Sequence, residues 1–156
     1  MGGPNLGGLF NLGMLGYDKQ DFSKARKYFE RACGLKYGRG CNGLGVLYRD
    51  GQGVEKNSKK ASQYFSKACG LNNGWGCNNL GDLYQNGEGV EKDSKKAATL
   101  FEKACDLNIG LGCSNLGVLY QNGQGVEKDL IEAAYLYSKA CKLGEQLACE
   151  SLKELK

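Results

Sequence analysis

The residues best equipped for chemistry are eight cysteines set in a ladder. Cys33, Cys69, Cys105 and Cys141 recur every 36 residues, and Cys41, Cys77, Cys113 and Cys149 follow in the same register, each eight positions after its partner. Thiols paired at fixed spacing could hold zinc, run a redox cycle or cross-link the chain. Zinc sites favour Cys-x-x-Cys pairs that converge four ligands, whereas seven residues separate each pair here and histidine is absent. A redox centre also prefers two intervening residues, with a lowered thiol pKa.

The elements that carry the thiols follow from the period. Residues 41–76 laid over 77–112 match at 23 of 36 positions, so one supersecondary unit has been copied and stacked. The shared frame runs Cys-Asn-x-Leu-Gly-x-Leu-Tyr, Gly-x-Gly-Val-Glu-Lys, Ser-Lys-Lys-Ala and Phe-x-Lys-Ala-Cys, and residues 113–148 follow it with Leu116-Gly117, Leu119-Tyr120 and Gly123-Gln124-Gly125-Val126. Cys41, Leu44, Leu47 and Tyr48 fall at helical spacing. After a glycine turn, Ala61, Tyr64, Phe65 and Ala68 give the i, i+3, i+4, i+7 stripe of a second helix. Asn57, Asp93 and Asp129 stand where that second helix begins and read as N-caps. Gly45, Gly81 and Gly117 sit in mid-helix, each at a cost of ~1 kcal/mol relative to alanine. Their retention predicts a close approach of the paired helix beside Ala61, Ala97 and Ala133.

The expected fold class is all-α: a right-handed α-solenoid of stacked helix–turn–helix units. One repeat domain spans 5–156, with units at about 5–36, 37–72, 73–108 and 109–144 and a capping helix within 145–156. The cap is predicted as Ala148–Leu155. Its Lys153 replaces the mid-helix glycine, as suits a helix with no second helix to approach it.

Bulk properties exclude several classes. A net charge of +4, from 21 basic and 17 acidic residues, is too mild for a nucleic-acid partner, which needs a clustered basic stripe. No run of 18 apolar residues spans a membrane. The chain is expected to be monomeric.

Leu44-Gly45-x-x-Tyr48, Ala61, Phe65 and Ala68 resemble the tetratricopeptide signature with four residues added in the hairpin turn. The 36-residue length and Gly-x-Gly turn are similar to the Sel-like variant, and the cysteines eight apart resemble the Helicobacter cysteine-rich protein family. The first unit departs from it. Leu12 to Ala25 is 13 residues where Leu44 to Ala61 is 17, and Leu9 replaces the cysteine. That is ordinary tetratricopeptide spacing, as expected of an end unit.

Within this frame the even cysteine count reads as four structural disulfides: Cys33–Cys41, Cys69–Cys77, Cys105–Cys113 and Cys141–Cys149. One cysteine closes a second helix and the next opens a first helix across a glycine-bearing turn. Antiparallel neighbours there can bring the α-carbons within the ~4.4–6.8 Å a disulfide needs. Disulfides point to an oxidising compartment, so the expected localisation is secreted or periplasmic. Met1–Asn5 lacks a secretory leader, which is read as a signal already removed.

Stacked hairpins line a concave face with the first helix of each unit. Carried over from the tetratricopeptide pattern, the groove would hold Asn42, Val46, Arg49 and Asp50, then Asn78, Asp82, Gln85 and Asn86, then Ser114, Val118, Gln121 and Asn122. The first unit would add Phe10, Met14, Tyr17 and Asp18. Asn42 and Asn78 could pair bidentately with the backbone of an extended peptide. A carboxylate clamp would also need groove cations, and only Arg39 and Arg49 are near. Trp75, in the turn between units, either covers the neighbouring bridge or stands as a ligand anchor, and packing is the expectation. The lysines of the turn and second helix, Lys56, Lys59, Lys60, Lys92, Lys95, Lys96 and Lys128, read as a solvated face.

The family resemblance implies an association with penicillin binding and β-lactam hydrolysis. Serine acyl transfer needs Ser-x-x-Lys or an equivalent nucleophile and base. Ser58, Ser62 and Ser94 are followed three residues on by Ala61, Phe65 and Ala97, and Lys-Thr-Gly is missing. The expectation is a scaffold without cofactor or metal. It would bind a peptide or protein partner, with a cell-wall muropeptide among the candidates. A penicillin-binding or weakly β-lactam-hydrolysing protein is the alternative, and a consensus or engineered repeat without a selected ligand is a third.

Overall fold

A computed structural model describes residues 5–155. Among them nine helices and no strand occur: α1 Leu6–Asp18, α2 Phe22–Gly34, α3 Gly38–Asp50, α4 Ser58–Gly70, α5 Gly74–Asn86, α6 Ser94–Asp106, α7 Gly110–Asn122, α8 Leu130–Lys142 and α9 Gln146–Glu154. No helix among the described residues is long and apolar enough to cross a membrane.

Each second helix starts and stops by local chemistry. Asp21, Asn57, Asp93 and Asp129 accept from the backbone N–H of Lys24, Lys60, Lys96 and Glu132, satisfying donors the helix leaves free. Each cap contributes about 1 kcal/mol. At the far end Lys36, Asn72, Asn108 and Gly144 take positive φ of 64°, 61°, 64° and 99°. The next N–H of each reaches back into the last turn: Tyr37 to Ala32, Asn73 to Ala68, Ile109 to Ala104 and Glu145 to Ala140. This left-handed stop uses carbonyls that would otherwise lack donors.

That same stop corrects the start of the last helix. α9 begins at Gln146, two residues before the predicted Ala148. Once Glu145 has closed α8, the chain turns directly into helix three residues ahead of Cys149, the register in which α3 and α7 precede Cys41 and Cys113.

The turn within the second hairpin, 51–57, holds four residues more than the 19–21 connection of the first. Gly51 ends α3 in the left-handed region at φ 65°, and Asn57 donates its N–H to the Tyr48 carbonyl at 2.9 Å. Gly53, also left-handed, packs on Phe22 so closely that an added Cβ would lie 2.6 Å from the phenylalanine Cβ. The added residues thus reach back to the preceding hairpin.

The chain packs as two units, Met1–Gly76 and Cys77–Lys156. In the first, α1 packs on α2, α2 on α3 and α3 on α4, around Ala25, Phe29, Leu44, Leu47 and Ala68. In the second, α6 packs on α7, α7 on α8 and α8 on α9, around Phe101, Leu116, Leu119, Leu136, Tyr137 and Ala148.

The mid-helix glycines face rings rather than the predicted alanines. A Cβ at Gly13 or Gly81 would lie 2.5 Å from the ring of Phe29 or Phe101, and one at Gly117 would lie 2.8 Å from that of Tyr137. Gly45 meets Phe65 in the same way. The alanines are buried too, but the ring projects far enough to reach the facing backbone and decides the separation.

Candidate functional site

The cysteines form framework. Cys33–Cys41, Cys105–Cys113 and Cys141–Cys149 are disulfides with Cα–Cα distances of 4.6, 4.6 and 4.8 Å, and Cys69 and Cys77 are likewise disulfide-bonded. Gly40 makes the first of these approaches possible, because a Cβ there would fall 2.7 Å from that of Ala32. No cluster among the described residues has the side chains to hold a metal.

The first unit carries an open cavity of about 400 Å³ at its surface. α1 supplies Phe10, Met14 and Tyr17, α2 supplies Phe29, and α3 supplies Arg39, Asn42, Gly43 and Val46. Asn73 and Trp75 complete the wall. Its apolar side is held by ring contacts: Phe10 stacks on Phe29 at 5.7 Å, and the Arg39 guanidinium lies 5.8 Å from the Phe10 ring centre. Asn73 is fixed by its Oδ1, which accepts from the Gly76 N–H at 2.9 Å. Trp75, expected to pack, is 46% exposed at this wall.

Of the predicted groove residues, the structure brings Phe10, Met14, Tyr17, Asn42 and Val46 together at this cavity. Arg49 instead turns to its neighbour, donating from Nε and Nη2 to the Asp50 carboxylate at 2.9 and 3.1 Å. Sequence reasoning missed Gly43. Its signal lay in the copies, because the same repeat position holds Asn79 and Asn115. A Cβ at Gly43 would lie 2.8 Å from the Phe29 ring, so the glycine lets that ring lie against α3 at the cavity floor.

In the second unit two of the predicted amides, Asn78 and Gln121, are hydrogen-bonded inward, while Asn86 and Asn122 are exposed. Asn78 is 0% exposed. Its Oδ1 accepts from Asn115 Nδ2 at 2.9 Å, while its own Nδ2 finds no acceptor. Gln85 is half-buried and its Oε1 lacks a donor. Gln121 accepts from the Tyr137 hydroxyl at 2.6 Å. Burial, followed by the charge of Glu154, raises the Tyr137 phenol above its ordinary value. Ser114 and Asp82 are half-buried and Val118 is exposed.

The lysines of the turn and second helix face solvent, with two specific contacts. Lys60 and Lys96 place their ammonium groups 4.7 and 5.0 Å from the rings of Tyr48 and Tyr84. In the fourth repeat Glu132 takes that position. Burial and the neighbouring carboxylates of Glu132, Glu102 and Asp129 raise the Tyr120 phenol.

Comparison with known proteins matches the Sel1 repeat to residues 5–37, 38–73, 76–109 and 110–145. The solved structure of Helicobacter pylori cysteine-rich protein B is 43% identical, with a TM-score of 0.69 over 85% of this chain and 95% of that one. A Sel1 repeat protein from Oxalobacter formigenes is 28% identical, with a TM-score of 0.85 over 90% of this chain and 58% of that one. Among curated proteins, HcpC of Helicobacter pylori strain J99 is 59% identical over 51 residues, 33% of this chain and 18% of HcpC. "Beta-lactamase HcpA" of the same strain is 48% identical over 59 residues, 38% of this chain and 24% of HcpA. The chain therefore spans about a fifth to a quarter of the curated relatives it matches.

Proposed function

Because the chain belongs to the Sel1 repeat family, in the group of Helicobacter cysteine-rich proteins, we propose that it is a disulfide-stapled scaffold that binds an extended peptide or protein segment on its first-helix face. The observation that carries this is the cavity at which Phe10, Met14, Asn42 and Val46 converge. An apolar recess with a few fixed amides suits a side chain entering from a backbone that the amides can hydrogen-bond. The disulfides suit work outside the cytoplasm, in the periplasm or after secretion. A muropeptide, whose peptide stem offers the same backbone groups, falls within this ligand class.

The name of HcpA attaches β-lactam hydrolysis to HcpA. No Ser-x-x-Lys occurs in this chain, so the scaffold reading is preferred. The test is to pan a peptide-display library on the oxidised protein. Recovered peptides should bind saturably, and Val46→Arg, which puts a long cation at the cavity wall, should abolish binding without changing the helical circular dichroism. Binding indifferent to Val46→Arg would place the ligand elsewhere. Turnover of a chromogenic cephalosporin, lost on one point mutation, would replace the scaffold with an enzyme.

A further inference from the structure

Resting on that reading, we infer that the cavity of the first unit is an anchor site for a bulky apolar side chain carried on an acidic segment. Arg39 is the anion contact, and Gly43 is the position at which a side chain would crowd the Phe29 wall. The volume of about 400 Å³ lies in the range of pockets that enclose a ligand group. Its wall joins the rings of Phe10, Phe29 and Trp75 with the thioether of Met14. Rings and a flexible, polarisable sulfur favour a large apolar or aromatic guest.

The charge at the wall has one sign. Arg39 is the single charged residue lining the cavity, and no carboxylate lies among the lining residues. Its guanidinium is solvent-exposed and lies over the Phe10 ring. A guanidinium beside a ring can offer its N–H donors to a planar, bidentate acceptor. A carboxylate beside the anchoring side chain supplies that acceptor, and a lysine there would be repelled.

Two positions that vary between the repeats coincide at this one place. The position of Arg39 holds Trp75, Leu111 and Leu147 in the later repeats, and that of Gly43 holds Asn79 and Asn115. The first brings a cation, and the second removes a side chain that would press on Phe29.

Trp75 is the only tryptophan of the chain and stands at the cavity, so its fluorescence reports occupancy. The probes are three sets of blocked, tryptophan-free hexapeptides with a central phenylalanine flanked by glutamate, serine or lysine. The glutamate set should shift Trp75 emission saturably and bind about tenfold tighter than the lysine set, a gap of ~1.4 kcal/mol. About 0.5 M salt should narrow that gap by screening. Arg39→Gln should bring the glutamate and serine sets together. Gly43→Asn, which installs the residue of the later repeats, should remove the response to all three. Should Gly43→Asn fail to fold, the exposed Arg39→Gln and the salt dependence decide. Equal binding of the glutamate and lysine sets, unmoved by Arg39→Gln, overturns the acidic anchor and leaves peptide binding standing. So does silence of Trp75 while panned peptides still bind. Absence of both panned and designed binders overturns the parent reading as well.

Discussion

Gly81 of α5 faces the ring of Phe101 of α6 so closely that a Cβ added at the glycine would lie 2.5 Å from the ring edge. Alanine there regains about 1 kcal/mol of helix propensity. Against this, forcing a methyl into a filled core costs roughly 1–3 kcal/mol, and Phe101 is buried with no open side to move into. Gly81→Ala should therefore lower stability by about 1–2 kcal/mol in urea denaturation, and Phe101→Leu in the same chain should recover part of the loss. A stabilised Gly81→Ala would show that the ring yields freely.

Reduction should unfold the repeats in steps. Each bridge closes a loop of nine residues, for which chain entropy gives about 2.6 kcal/mol. Cys33, Cys41, Cys105 and Cys113 are buried, whereas Cys141 and Cys149 are partly exposed. Exchange needs a thiolate to reach the sulfur. Brief treatment with a mild reductant and an alkylating agent should label Cys141 and Cys149 first by peptide mass mapping, and full reduction should lower the melting temperature. Uniform labelling of all eight would contradict the burial argument.

Lys36 holds φ at 64°, where a residue with a Cβ costs roughly 1–2 kcal/mol relative to glycine. Lys36→Gly gives back some of that gain through the freer unfolded chain. A net stabilisation of about 0.5–1 kcal/mol is expected in chemical denaturation. Asn72→Gly and Asn108→Gly should gain less, because asparagine tolerates this region better.

The repeat frame made the helices and their caps legible. Asn57, Asp93 and Asp129 sit at one copied position, and all three cap. What one helix meets on another was less legible: periodicity placed Gly81 on an inner face without saying that Phe101, and not Ala97, comes closest. The cavity lay still further out of reach, because it arises at positions the frame leaves variable, Gly43 and Arg39. Asn78 shows the same limit from the other side. Its place in the pattern marks a groove residue, yet its Oδ1 turns to Asn115, a partner 37 residues away in sequence.

Tyr137 ties the fourth repeat to pH. Its phenol is raised in the fold by burial and then by Glu154, so above the unfolded value of about 10 the unfolded chain loses its proton first. The folded state then binds more protons, and stability falls as pH rises. That contribution is complete below about pH 10 and is lost as pH climbs through the folded value. Tyr137→Phe also removes the bond to Gln121, costing about 1 kcal/mol at neutral pH. Its stability should decline less steeply than wild type above pH 10, measured by urea denaturation across pH. Parallel curves would mean that the hydroxyl is solvated in the fold.

Asn42 and Asn78 occupy one repeat position but should respond differently to truncation. Asn42 lines the cavity, whereas Asn78 is wholly buried and accepts from Asn115. Asn78→Ala leaves the Asn115 donor without that acceptor, a loss of about 1–3 kcal/mol when the group stays dry. The unpaired Nδ2 of Asn78 is removed by the same change, which offsets part of the cost and sets the expectation at the lower end. Asn42→Ala should instead weaken peptides selected on the oxidised protein by several-fold, with a smaller change in melting temperature. Melting curves and titrations of both variants separate the roles. Equal loss of affinity in the two, with stability untouched, would mean that Asn78 turns outward to meet the ligand.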